Sequence, residues 1–453
     1  MSKLLRFILS IALAAARSDA AHAAPAHAAS AHVTRIETAI DGYVAPLRRL
    51  GVFDGVVLVA RKGHVLARRS YGLANVELRV PNTPDQRFRI ASLSKLFTAV
   101  AIGRLWERGT LDPQTPLVRF LPEFPKGDSI TIAMLLDHQA GVPSINDLPI
   151  EEDTHYPNTL DDLIAHIEKQ PLAFSPGSRT AYSNGNYAVL AKVLERASGK
   201  SYAEVLRDEV LRPLGLVNTG HEPDGFLLER RAYGYVPDSR LPNRQVPAPY
   251  QQMATKTGGG SLYSTADDLY RFAQAMFRDT VIRRATWEAV LGAQDSALTM
   301  TGRCPGYNSL LLRRVADDVT VVVLSNNYSS GMLSEMGRDL AALALGKPGE
   351  PPRYRSDLAP DAAGLAPLAG EYAMPAGAFA FAQDRLFSVR LEGGHLVAFA
   401  GGTALDVLIP QSEHSFLMRN YWSELTFDDA GSRIVYRPLY RSGEFTFTRG
   451  ATP

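Results

Sequence analysis

One cysteine, Cys304, stands in the whole chain, which excludes an internal disulfide and any multi-cysteine zinc site. The histidines nowhere repeat as H-x-x-x-H or in a related ligand spacing, so neither a metal nor another cofactor is implied. Charge of one sign is missing as well. The chain carries 48 Lys and Arg against 47 Asp and Glu, a net charge of +1, with no long basic run, and a nucleic-acid partner is not expected. The apolar run from Phe7 to Ala16 is too short to serve as a permanent membrane anchor. What remains is a hydrophobic content of 45%, ample for packed globular structure, in 453 residues, too many for one compact core, so two domains are expected.

The N-terminus reads as an export signal. Lys3 and Arg6 precede the apolar run, and Ala21-His22-Ala23 offers a small-x-small cleavage site, with Ala26-His27-Ala28 as a second candidate. Residues 1–23 are thus expected to be a signal peptide and 24–32 a flexible lead, giving a periplasmic or secreted protein. Beyond them, Ile36, Ile40, Val44 and Leu47 recur at helical spacing. Gly55 to Ala60, a turn at Lys62-Gly63, and Val65 to Ala67 predict a β-hairpin. A helix-rich middle runs from Ser92 to about Leu216 and again from Ser264 to about Val290. Strands return at Ser309 to Arg313 and Val319 to Leu324, before a closing helix from Gly331 to Leu343.

The expected fold is therefore α/β in the α+β sense, an antiparallel sheet completed by both ends of a domain at 33–346 with an inserted helical region. A Pro-rich stretch beginning at Lys347 marks a linker over 347–362. Residues 363–453 then show short β runs with turns, at Phe379-Ala380-Phe381, Leu386 to Val389, Leu396 to Phe399, Leu405 to Ile409, Ser415 to Met418, Glu424 to Phe427, Ile434 to Tyr436 and Phe445 to Phe447. Their alternation and regular spacing predict a small all-β barrel.

Chemistry is concentrated in two stretches. Ser92-Leu93-Ser94-Lys95 places a hydroxyl and an amine three residues apart at the start of an amphipathic helix, where one turn brings both to the same face. A serine hydroxyl needs an adjacent group to take its proton, and Lys95 is within reach to do so. Tyr182 and Asn184 lie two apart on an extended or loop segment, so their side chains can share a side. A phenol beside an ammonium is drawn toward phenolate and can act as general base, while Asn184 can bind a substrate amide or carbonyl. His138, by contrast, follows a helix in a turn and is read as structural.

These stretches, with Leu135 to Pro143, Val210 to Leu216 and Gly259 to Leu269, resemble the serine β-lactamase and penicillin-binding superfamily over roughly residues 35 to 345. The match is to the class C-related branch, which also holds D-aminopeptidases, D,D-carboxypeptidases and esterases. The final 90 or so residues look like the lipocalin-like domain often attached to such proteins. The resemblance implies an exported serine hydrolase acting through an acyl-enzyme on a small-molecule or peptide ester or amide, with Ser92 as nucleophile, Lys95 and Tyr182 in proton transfer, and Asn184 on the acyl side chain. The alternative is a catalytically weak or inactive relative that binds cell-wall peptides or β-lactams. Oligomeric state is left open by these motifs.

The third motif of the family is divided between two places. A literal Lys256-Thr257-Gly258 is followed by Gly259-Gly260 and a helix rather than a strand. Met300-Thr301-Gly302-Arg303 instead matches the pattern ahead of a hairpin, making Thr301, Gly302 and Arg303 the expected substrate-binding residues, with the Ser92 and Arg303 N–H groups as oxyanion donors. Met300 then stands where relatives carry Lys or His, and a lost charged hydrogen bond costs about 1.5–3 kcal/mol. On this reading the substrate shifts away from β-lactams and D-Ala-terminated peptides, Arg303 can compensate as a cation, and Lys256 lies outside the motif, so that its loss should have little effect.

Overall fold

The computed structural model describes residues 34–147, 159–222, 227–242, 244–292, 297–329, 331–347, 354, 357–358, 362–379, 385–439 and 442–450. The signal and lead read at 1–32, and most of the 347–362 linker, lie outside the described residues. Helix α1 (34–49) buries Ile36, Ile40, Tyr43, Val44 and Leu47 along one stripe. Strands β1 (Gly55–Arg61) and β2 (His64–Tyr71) follow, joined by Lys62 and Gly63, both at positive φ. That is the turn geometry whose twist matches a two-residue hairpin. A separate hairpin, β3 (Tyr235–Pro237) and β4 (Gln245–Pro247), comes before the strands that complete the sheet, β5 (Ala297–Cys304), β6 (Tyr307–Arg314) and β7 (Val319–Ser325).

The five-stranded antiparallel sheet runs β5-β6-β7-β1-β2, so strands from both ends of the domain meet where β1 pairs with β7, Gly55 opposite Ser325 through Arg61 opposite Val319. The run Val56 to Ala60 is buried on both faces. Val56, Leu58 and Ala60 enter the core shared with the inserted helices, whereas Val57 and Val59 enter the core beneath α1 and the closing helix. A continuous apolar run rather than an alternating one follows from that two-sided burial.

The inserted region holds α2 (Ser94–Glu107), α3 (Asn184–Ser198) and α4 (Ala266–Ala275), and α5 (Met332–Ala344) closes the domain. α2 is buried on nearly every side, as a helix that is apolar all round must be. Its first turn therefore sits where the helical region meets the sheet.

The C-terminal strands form a closed eight-stranded barrel, from Gly370–Ala373 to Phe445–Arg449, packed inside with Tyr372, Phe387, Phe416, Tyr436 and Phe447. Its first strand is Gly370–Ala373 and not the Phe379 run. Phe379 lies in a bend with its ring against Phe387, Tyr421 and Tyr436, and Ala380 and Phe381 lie outside the described residues. On the outer wall Val407, Ile409, Leu417 and Trp422 join the core beneath α1 and α5, and the Trp422 indole donates to Glu335 at 2.9 Å. The buried Arg419 guanidinium donates to the carbonyls of Pro242 (2.9 Å), Asp238 (3.0 Å) and Leu241 (3.3 Å) in the β3–β4 loop. The barrel is thus fastened to the first domain by packing and by a buried cation.

Candidate active site

Ala91 to Leu93 form a single tight turn that leads straight into α2. Ala91 takes the left-handed region at φ 45, a conformation costly for a residue with a Cβ, and Ser92 follows directly. The turn is held from below, where the Ile90 N–H bonds the Leu262 carbonyl at 2.9 Å and the Leu262 N–H bonds Ser94 Oγ at 3.0 Å.

Lys95, one turn on, is 2% exposed. Its Nζ lies 2.7 Å from Asn184 Oδ1, 2.7 Å from the Gly259 carbonyl and 3.4 Å from Ser92 Oγ. Burial lowers its pKa to about 7. A neutral amine has two N–H donors and one lone pair, so the two short bonds satisfy the donors and the lone pair is left toward Ser92.

Tyr182 Oη is 2.8 Å from Ser92 Oγ and 3.2 Å from Asn184 Oδ1. The residue is 56% exposed, yet its hydroxyl end is turned inward, and burial there holds the phenol above its ordinary range against the Ser92 hydrogen bond and the Arg303 charge. The phenolate expected from the sequence is therefore not favoured.

Asn184 is the first residue of α3, and Ser183 caps that helix by accepting from the Gly185 N–H. His138, at φ 59, accepts from the Ser183 N–H at 3.2 Å and contacts the Asn186 amide at 3.2 Å. Its ring packs 4.8 Å from that of Tyr182, and burial with the nearby Lys95 lowers its pKa to about 4. His138 is a neutral support behind Tyr182, in keeping with its reading as a structural residue.

Strand β5 lies along the sheet edge against the Ser92 turn. A Cβ on Gly302 would fall well inside contact distance of the Ile90 carbonyl and 2.9 Å from the Ser92 nitrogen. Alternation sends Thr301 and Arg303 to one side of the strand and Met300 and Gly302 to the other, with Met300 half-buried against the helical core. The turn at Ala254–Lys256 and the glycines after it form the opposite part of the site. Gly258 O is held by Thr98, and Gly259 O by Lys95. A short strand, Leu262–Ser264, does follow this turn, but it pairs with Phe88–Arg89 and Gly220–His221 rather than lying beside Ser92.

Ser92, Asn184, Gln251, Thr255, Lys256 and Arg303 line one cavity of about 410 Å³. Cys304 is also in its wall, but burial pushes that thiol up to about 12, which makes it a poor rival nucleophile. Among the described residues no three His, Cys, Asp or Glu side chains gather as a metal site requires, and no helix is long and apolar enough to cross a membrane.

The family model described as Beta-lactamase matches residues 36–346. The chain belongs to the Beta-lactamase family. It is 28% identical over 427 residues to Penicillin-binding protein 4* of Bacillus subtilis (strain 168), covering 85% of this chain and 93% of that one. It is 30% identical over 305 residues to Esterase EstB of Burkholderia gladioli, covering 60% of this chain and 78% of that one. Among solved structures, the octameric penicillin-binding protein homologue from Pyrococcus abyssi superposes with a TM-score of 0.59 at 24% identity, covering 92% of this chain and all (100%) of that one. That likeness extends the shared fold across both domains.

Within this family member, the strand that meets the Ser92 turn carries Met300 to Arg303, and the Lys256 turn is a separate element. Two expectations change. Lys256 lines the same cavity as Ser92 and is not remote from the site, and the cation missing at Met300 is not missing from the cavity, because Lys256 and Arg303 both border it. Ile145, Asn146, Gln251, Thr255 and Tyr328 also line it and were not singled out from sequence. Only the triple glycine after Thr257 hinted at a close backbone approach there.

Gly302→Ala tests the contact between strand and Ser92 turn. The added methyl meets the backbone of the Ser92 turn at the Ile90 carbonyl and the Ser92 nitrogen, and also Ser309 Oγ, so β5 must move, and a misplacement on the order of 1 Å costs about 10²-fold in rate. Steady-state turnover should fall by about that factor, and unchanged turnover would mean that β5 does not position the reacting group.

Proposed function

We propose that the protein is an exported serine hydrolase that cleaves an ester or amide through an acyl-enzyme on Ser92. The observation that carries this reading is the convergence on Ser92 Oγ of Tyr182 Oη at 2.8 Å and Lys95 Nζ at 3.4 Å, with Lys95 desolvated toward its neutral form. In acylation Ser92 Oγ bonds the substrate carbonyl carbon while its proton passes to Lys95. The C–O or C–N bond then breaks, and the leaving alcohol or amine takes a proton from Tyr182, which Lys95 replenishes. Water, losing a proton by the same route, hydrolyses the acyl-serine and restores the free hydroxyl.

Backbone N–H groups of Ser92 and Arg303 are assigned to the developing oxyanion, and this interaction is often the largest single term in such reactions. Asn184 orients Lys95 as well as the acyl group. Thr301, Gly302 and Arg303 form the binding edge. Lys256 and Arg303 make the cavity tolerant of a carboxylate, so neither simple esters nor carboxylate-bearing amides are disfavoured on charge.

Intact-mass measurement after exposure to a fluorophosphonate, and separately to a penicillin, tests the assignment. One adduct is expected on the native protein and none on Ser92→Ala, whose melting temperature should match the parent. An adduct that persists on Ser92→Ala would move the nucleophile elsewhere. Absence of any adduct on the native protein would favour the second reading, a binding relative, to which Met300 in place of a cation lends its one point of support.

A further inference from the structure

The cavity that holds Ser92 has a neighbour across the β5–β6 turn. A second cavity of about 500 Å³ shares Pro305 and Tyr328 with it and opens on the far side of that turn. Its walls come from two places. Val236, Val246 and Pro249 belong to the β3–β4 hairpin region, and Ala404, Leu405 and Tyr421 belong to the C-terminal barrel. Where the first cavity is bordered by hydroxyls, amides and cations, the second is bordered chiefly by aliphatic and aromatic groups, with Asp238, Ser239 and Asn420 as its polar members.

The dividing turn is held in place. Gly306 packs so closely against Gly234 that neither position has room for a Cβ, and the Tyr307 hydroxyl bonds the Ala232 carbonyl at 2.7 Å. The hairpin wall is fixed from the other side by Arg419 of the barrel, through its bonds to the carbonyls of Asp238, Leu241 and Pro242. Apolar walls held in this way form a site before any ligand arrives, which is the usual condition for selective binding of a small molecule.

We propose that this second cavity is the specificity subsite of the hydrolase, and that it takes the apolar chain of an acyl ester whose carbonyl lies at Ser92. The barrel then contributes directly to substrate selection, since Ala404, Leu405, Asn420 and Tyr421 of the subsite wall are its own. The inference rests on the reading of Ser92 as the acylated residue. A chain attached to the carbonyl leaves the polar cavity past Pro305 and removes its methylenes from water against Val236, Leu405 and Tyr421. A single methylene in an apolar pocket is worth about tenfold or more in discrimination, so even partial filling should be measurable.

The test compares p-nitrophenyl acetate, butyrate and octanoate on the full-length protein and on two variants that fill the subsite from opposite walls, Ala404→Trp and Val236→Trp. Octanoate should exceed acetate in kcat/KM by about tenfold or more on the parent. Both variants should abolish that advantage, mainly through KM, while leaving acetate turnover within about twofold. Loss of acetate turnover in step with octanoate, or an octanoate preference that survives both variants, would overturn the proposal.

Equilibrium binding of the octanoate ester to Ser92→Ala supplies a readout that needs no turnover. Binding stronger than that of acetate, and blocked by adding Ala404→Trp, supports the subsite even if Ser92 proves not to be the nucleophile. Hydrolysis through Ser92 with no dependence on chain length would leave the catalytic reading standing and sink the subsite.

Discussion

Lys95→Met is expected to lower the rate of acylation by about 10²–10⁴-fold, the usual contribution of a positioned proton acceptor. Methionine nearly matches the length of lysine and suits a site that is 2% exposed, so the fold and melting temperature should survive. The same assignment fixes the pH dependence of the native enzyme. Burial disfavours the ammonium and brings its pKa to about 7, below the ordinary lysine value of 10.5. The neutral amine is the competent base, so kcat/KM should rise with pH and level off above about 7. Tyr182 does not account for such a limb, because its phenol is held above its ordinary range and stays protonated. Tyr182→Phe should therefore slow turnover, by about 10²-fold or more through loss of the proton relay, and yet keep the limb near neutrality. Pre-steady-state release of p-nitrophenol across a pH series measures both effects. Retained acylation in Lys95→Met, or a limb that vanishes in Tyr182→Phe, would reverse the roles of the two residues.

Arg419→Met should destabilise the protein by about 3–5 kcal/mol, because it strips the partner from a buried carboxylate and leaves three carbonyls without their donor. Arg419 and Asp406 are 1% and 0% exposed, with 3.6 Å between their charged atoms. Burial raises the Asp406 pKa from 3.8 to about 6, and the Arg419 charge pulls against that rise. For an acid whose folded pKa is raised, the folded state is favoured when the group is protonated. Its contribution is therefore most favourable below about 3.8 and declines as the pH rises through about 6. Without Arg419 the Asp406 pKa rises further and the decline extends to higher pH, so the deficit of the variant should be larger at neutral pH than in acid. Urea unfolding at both pH values measures it, and Asp406→Asn in the same chain should recover part of the loss. A deficit of about 1 kcal/mol or less, independent of pH, would mean that this pair is no more than a surface contact in effect.

The strands and helices were readable wherever burial imposes a regular period. The stripe Ile36, Ile40, Val44 and Leu47 predicts α1, and the apolar runs at 55–60 and 319–324 predict two strands that prove to be neighbours in the sheet. The barrel was legible from alternation, but its first strand was not. Gly370-Glu371-Tyr372-Ala373 has only one large apolar residue, so its inclusion depends on closing the barrel against the last strand and not on its own pattern. Phe379 misled for the opposite reason, since an aromatic is buried in a barrel equally well from a bend as from a strand.

Sequence by itself determined the chemistry that depends on short chain separation. Ser92 and Lys95 are one turn apart, Tyr182 and Asn184 flank a helix start, and local geometry alone brings each pair together. Tertiary structure decided everything that depends on what surrounds them. Lys95 and Asn184, 89 positions apart, are joined by a 2.7 Å hydrogen bond that no spacing rule predicts. Burial by the sheet and helices, a property of no single segment, takes the Lys95 ammonium toward neutrality, which an exposed lysine would not approach near neutral pH, and holds the Tyr182 phenol above its ordinary range. Likewise only tertiary structure shows that both stretches border the site: β5 lies against the Ser92 turn at Gly302, and Lys256 with the glycines after it lines the same cavity from a separate element.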